Sequence, residues 1–148
     1  MMDAAAGTRS RVIAAARRWI GTPYRHQGTR RGVGCDCLGL VRGVWHEVYG
    51  SSLPDPGPYG ADWAAGDAGD PLMNAAREAF GVPFPLASAQ PGDLLVFRWR
   101  AQLPARHLGI LTGQGRFVHA YSGAGALESA LVPAWRRRVA AVFAFPVS

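Results

Sequence analysis

Lysine is missing from this chain. All 16 basic residues are arginine, and with 10 acidic residues they give a net charge of +6. A balance this basic invites a nucleic-acid reading, but only Arg17-Arg18, Arg30-Arg31 and Arg136-Arg137-Arg138 are adjacent, and no recognised nucleic-acid motif accompanies them. No nucleic-acid partner is expected, and the charge suits a polyanionic surface equally well. Long hydrophobic runs are also missing. None approaches the ~20 residues of a membrane-spanning helix, so no membrane insertion is expected. The first residues lack the basic stretch and apolar run of about 7–15 residues that mark a secretory signal. A chain synthesised in the cytoplasm without that signal is expected.

Cysteine is scarce. Cys35 and Cys37 are the only two, one residue apart. A disulfide between such close neighbours is badly strained, which excludes a disulfide scaffold. A metal site, a structural pair, or one reactive thiol with a bystander remain open. Charged residues are only 18% against 49% hydrophobic, so a core can form in the 148 residues, which suit one domain spanning 1–148. The 19 glycines and 11 prolines indicate many turns rather than a helical bundle.

The apolar spacing predicts a helix over residues 9–20, capped by Thr8, with Val12, Ile13, Ala16, Trp19 and Ile20 on one face. A second helix begins near Asp36 or Cys37 and stops at Gly50, with Asp36 as N-cap. Residues 51–69 read as a loop containing Tyr59 and Trp63. Asp70-Pro71 opens a short helix to about residue 80. After the Pro91-Gly92-Asp93 turn the period becomes two. Strands are expected over 94–99, 108–112, 116–121, 126–132 and 138–145, with a hairpin at Gly113-Gln114-Gly115. Helices followed by an antiparallel sheet make an α+β domain.

The predicted helix start lends Cys37 orphan amides and the positive end of the helix dipole, which lower a thiol below ~8.5. A cysteine nucleophile also needs a histidine as base and a group to orient it. With a three-residue hairpin loop, Gly109 faces His119, and His107 lies diagonal to His119 on the same sheet face, roughly 5.5–8 Å away. A two-residue loop would place the two histidines on opposite faces. Zinc bound by Cys35, Cys37, His107 and His119 has suitable ligand types, but the Cys-x-Cys spacing is unusual, and no metal is expected. His46 reads as a partly exposed helix residue.

Five segments then occur in order: Trp19-Ile20-Gly21-Thr22-Pro23-Tyr24-Arg25, Asp36-Cys37-Leu38-Gly39-Leu40-Val41, Pro91-Gly92-Asp93-Leu94-Leu95-Val96-Phe97, His107-Leu108-Gly109-Ile110, and Phe117-Val118-His119-Ala120. Together they resemble the NlpC-type cysteine peptidases, cell-wall endopeptidases with a papain-like core, from about residue 8 to the C-terminus. The resemblance implies that Cys37 is the nucleophile, His107 the base, and His119 the residue that orients it. It implies that Tyr24 helps bind or polarise the scissile amide, and that no cofactor is needed. The implied substrate is the peptide stem of peptidoglycan, often cut between D-γ-glutamate and a diamino acid.

Leu38 stands where the family has Ser or Thr, and Cys35 is an extra thiol. His26-Gln27-Gly28 replaces an aromatic residue followed by glycines. Asp36, Leu38, His26 and Trp63 are expected to edge the substrate groove. The stretch from Gly32 to Leu40, with His26-Gln27 and Tyr59…Trp63, resembles a narrower branch encoded in tailed-phage, prophage and gene-transfer-agent tail modules. That branch implies tail or hub proteins as partners, and action in the wall or periplasm of the target cell. The alternatives are a structural tail or hub subunit with little activity, or an amidase or transpeptidase using the same Cys-His chemistry.

Overall fold

A computed structural model describes residues 3–54 and 69–148. Helix α1 (Ala4–Arg18) starts earlier than its spacing suggests, because Asp3 caps it by accepting from the Ala6 amide at 2.7 Å. Thr8 is an interior helix residue, its hydroxyl turned back to the Ala4 carbonyl. The helix buries Val12, Ala15, Ala16 and Trp19, whereas Ile20 lies past its end and is exposed. A two-stranded ladder, β1 (Thr29–Arg30) and β2 (Gly34–Cys35), occupies the stretch read as loop. Helix α2 (Cys37–Tyr49) follows, capped by Asp36 and closed by Gly50 at a positive φ of 71°. Helix α3 (Pro71–Phe80) begins at its proline, as expected. Asp70 is not its side-chain cap. One Asp70 carboxylate oxygen instead accepts from the Ala105 amide, and the other lies 3.5 Å from Arg98.

The remaining strands are β3 (Leu94–Phe97), β4 (His107–Gly113), β5 (Arg116–Tyr121), β6 (Gly125–Ala130) and β7 (Val139–Phe143). They form one antiparallel sheet in the order β6-β5-β4-β3-β7. Strand alternation divides the core. Leu94, Val96, Ile110 and Val118 pack with Val12, Leu40 and Val44 of the helices. Leu95, Phe97, Leu111 and Phe117 face the other way, under Leu131 and Trp135. Trp135 belongs to a short helix, α4 (Pro133–Arg136), that the sequence reading missed. Among the described residues no helix is long and apolar enough to cross a membrane.

The β4–β5 turn differs from the expected one. Gly113 pairs with Arg116, leaving only Gln114 and Gly115 in the loop. A bulge between Leu111 and Gly113 inserts one residue and restores the register, so Gly109 still faces His119. The loop expectation fails and the face expectation holds, because the bulge offsets the shorter turn.

Candidate active site

Cys37 occupies the first turn of α2, and the local chain is built to hold it there. Asp36 is buried. One of its carboxylate oxygens accepts from the Gly39 amide and the other from the Gln27 amide, both at 2.8 Å. The second oxygen also lies 3.8 Å from His26 Nδ1. A carboxylate so engaged braces the helix start against the preceding loop. Gly39 is required where it stands: a Cβ there would lie 1.7 Å from the Gly28 carbonyl oxygen.

The Cys37 thiol rests against β4. The amides of Leu108, Leu38 and Cys37 itself act on the sulfur, and Leu108 directly follows His107. These amides favour the thiolate, but they lose. Although Cys37 retains partial exposure as a residue, burial of the thiol, with Asp36 adding to it, pushes it up to about 12. This overturns the expected lowered thiol. The helix-start effect is present and smaller than the desolvation. Cys35 is fully buried and pushed up to about 11, again chiefly by burial. Tyr24 bridges to Cys35 along the backbone, and burial together with nearby Asp36, Cys37 and Cys35 raises its hydroxyl. Tyr24 therefore shares the surroundings of the thiol.

On the sheet, His107 Nε2 and His119 Nδ1 are 2.8 Å apart, and His119 Nε2 is 2.8 Å from Ser129 Oγ. With Nε2 committed to His119, Nδ1 is the His107 nitrogen left for a thiol proton. Both rings are buried, and burial lowers both, His107 to about 3 and His119 to about 4, with His119 adding to the shift on His107. With the thiol raised and both imidazoles lowered, all three groups are neutral near pH 7.

Aromatic rings enclose the pair. Trp99 and Trp135 each stack on His107 with centroids 5.7 Å away, Trp135 meets His119 edge-on at 5.0 Å, and Phe117 packs 4.2 Å from His119. The Arg138 guanidinium lies over both tryptophans, 5.5 and 6.0 Å from their centroids. Water is kept from the imidazole pair, which strengthens its hydrogen bond.

Of the other expected groove residues, Leu38 lines an apolar cavity of about 500 Å³ together with Leu108, Val41 and Leu72. His26 is exposed at the loop and Trp63 lies outside the described residues. Exposed His46 lies on α2, away from this group, 3.4 Å from the Ser52 hydroxyl. Among the described residues no three His, Cys, Asp or Glu side chains group to hold a metal ion. A thiol at a helix start and two hydrogen-bonded imidazoles are the side-chain types that acyl transfer through a cysteine requires.

The model of the NlpC/P60 family matches residues 21–143, which include Cys37, His107 and His119. The chain belongs to the NlpC/P60 family. It is 29% identical over 132 residues to the murein DD-endopeptidase/murein LD-carboxypeptidase of Escherichia coli K12, covering 88% of this chain and 59% of that protein. It is 30% identical over 109 residues to the γ-DL-glutamyl hydrolase of Bacillus subtilis 168, covering 74% and 22%. The chain thus spans well under two thirds of these relatives. Among solved structures, the NlpC/P60 domain of the peptidoglycan hydrolase SagA superposes with a TM-score of 0.62 at 24% identity, covering 92% and 97% of the two chains. The P60 domain of an antigen from M. avium subspecies paratuberculosis gives 0.61 at 20%, covering 97% and 98%. These likenesses bear out the α+β, papain-like NlpC-type fold.

Sequence reading missed three members of this NlpC/P60 site. Trp135 sits on a helix of four residues, too short to show a period. Trp99 lies just past β3. Ser129 pairs opposite Phe117, two residues from His119, so strand alternation alone puts it on the histidine face once β5 and β6 are aligned.

Proposed function

We propose that this chain is a single NlpC-type cysteine peptidase unit that hydrolyses the peptide stem of peptidoglycan. The observation that carries this reading is the 2.8 Å His107–His119 hydrogen bond, which leaves His107 Nδ1 for the thiol of Cys37 at the helix start beside β4. One relative, a murein DD-endopeptidase/murein LD-carboxypeptidase, supports the substrate class by name.

In the proposed cycle His107 Nδ1 takes the thiol proton as sulfur attacks the amide carbon. His119 holds the ring and stabilises its charged form. The Cys37 amide and the Tyr24 hydroxyl meet the oxyanion, and His107 then protonates the leaving amine. Water, deprotonated by His107, hydrolyses the thioester. No cofactor takes part in these steps. Because both thiol and imidazole are neutral at rest, proton transfer accompanies attack.

The favoured bond is that between D-γ-glutamate and the diamino acid; the B. subtilis relative's name supports its γ-glutamyl side. Incubation of purified muropeptides with the wild type and Cys37→Ala, followed by mass analysis, tests both class and bond. Products released equally by both proteins would overturn the reading. The finer reading, action as a phage-like or gene-transfer-agent tail component docked on tail or hub proteins, is supported by the resemblance of residues 32–40. Mass spectrometry of purified particles tests it, and particles lacking the chain would dismiss it.

A further inference from the structure

The His119–Ser129 hydrogen bond has no place in the mechanism as described so far, which needs only a thiol, a base and an orienting group. We infer that Ser129 is a positioning residue of this site, whose hydroxyl oxygen accepts from His119 Nε2 in the tautomer that allows His107 to accept a proton. The inference rests on the reading of Cys37, His107 and His119 as the catalytic group.

His107 Nε2 and His119 Nδ1, 2.8 Å apart, share one hydrogen between them. If it belongs to His119 Nδ1, then neutral His107 carries its own hydrogen on Nδ1 and cannot act as base through that nitrogen. If it belongs to His107 Nε2, then Nδ1 of His107 offers a lone pair. His119 must then carry its hydrogen on Nε2, which needs an acceptor. Ser129 Oγ, 2.8 Å away, is that acceptor.

Once His107 holds the thiol proton, both of its nitrogens carry hydrogen. His119 Nδ1 can then only accept, and His119 Nε2–H can only donate to Ser129. The serine bond is therefore required in the charged state that chemistry passes through, whereas at rest the chain could run in either direction. A buried ring with an unsatisfied N–H in that state is costly, and hydrogen bonds linked to charged groups are the stronger class. His119 has no exposed surface, and the Phe117 and Trp135 rings pack against it.

Three variants and one spectrum test this. Ser129→Ala should lower kcat on muropeptides about tenfold or more with KM unchanged, since the bond matters in the charged state rather than in substrate binding. Ser129→Thr, which keeps the hydroxyl and suits a strand, should restore most of the rate. In the ¹⁵N spectrum of the resting wild-type protein, the tautomer with hydrogen on His119 Nε2 should be populated, and Ser129→Ala should reduce its share. A wild-type kcat in Ser129→Ala, or a His119 tautomer balance that Ser129→Ala leaves unchanged, overturns the inference. Because the spectrum needs no turnover, it decides the matter even if Ser129→Ala is inactive. If Cys37→Ala keeps full activity, the catalytic reading fails separately.

Discussion

His119 has no exposed surface and hydrogen-bonds through both ring nitrogens, so it tolerates few replacements. Glutamine can accept from His107 through its carbonyl and donate to Ser129 through its amide. His119→Gln should therefore retain measurable turnover where His119→Ala does not. Loss of the base itself in His107→Ala should cost about 10²–10⁴-fold or more. Muropeptide rates for the three variants, each with native melting behaviour, check this order. If His119→Ala matches the wild type, the orienting role is misassigned. Cys37 gives a second prediction at this scale. With its thiol pushed up to about 12, iodoacetamide should label it slowly at neutral pH and faster as pH rises. Rapid selective labelling at mildly acidic pH would show instead that the helix amides prevail. The pairing of His107 with His119 was legible in the sequence because strand alternation and the Gly109–His119 register put both on one face. The sign of the thiol shift was not, since burial depends on what packs around the sulfur.

Helix α2 and the hairpin place these residues, and their tolerances differ. Gly39 backs directly onto the Gly28 carbonyl, and its amide holds Asp36. Gly39→Ala must push backbone apart at the start of the nucleophile helix. A stability loss of about 1–3 kcal/mol is expected, as for overpacking a tight interior, with activity falling further than stability. Urea unfolding beside muropeptide turnover would reveal this; a variant with unchanged rate and midpoint would contradict the close contact. The cap and the Gly50 stop of α2 were readable because side chain and helix end are adjacent in sequence. The cap at Asp3 and the partners of Asp70 were not: Thr8 offered an equally good local signal, and Ala105 and Arg98 reach Asp70 from far along the chain. The β4–β5 bulge escaped for a related reason. A turn length and a bulge can offset each other, and only the pairing shows both.

Across the molecule, two buried imidazoles make stability depend on acid. Their folded values near 3 and 4 lie below the 6.5 of an unfolded histidine. The unfolded chain therefore binds more protons between those limits, and stability present above pH 6.5 is lost as pH falls toward 3–4. Each histidine contributes a slope of at most about 1.4 kcal/mol per pH unit. The raised thiols work in the opposite direction: stability present below pH 9 is lost as pH rises toward 11–12. Thermal unfolding from pH 7 to pH 4 should show a progressive fall in melting temperature; a flat profile would mean that the imidazoles are solvated. At this scale the sequence disclosed helices before strands, and hence the class. It did not disclose that β7, last in the chain, lies at the sheet edge beside β3, because pairing between distant strands leaves no local trace.

The protonated state of Cys37 bears on how long the protein lasts in oxidising surroundings. Peroxide attacks the thiolate and converts it, through sulfenic acid, to forms that are not recovered. A thiol held near 12 presents almost no thiolate at neutral pH, and Cys35 beside it, held near 11, presents little more. Peroxide should therefore inactivate the protein slowly at pH 7 and steadily faster under alkaline conditions. The burial that keeps the Cys37 thiol protonated also keeps it from chemical ageing.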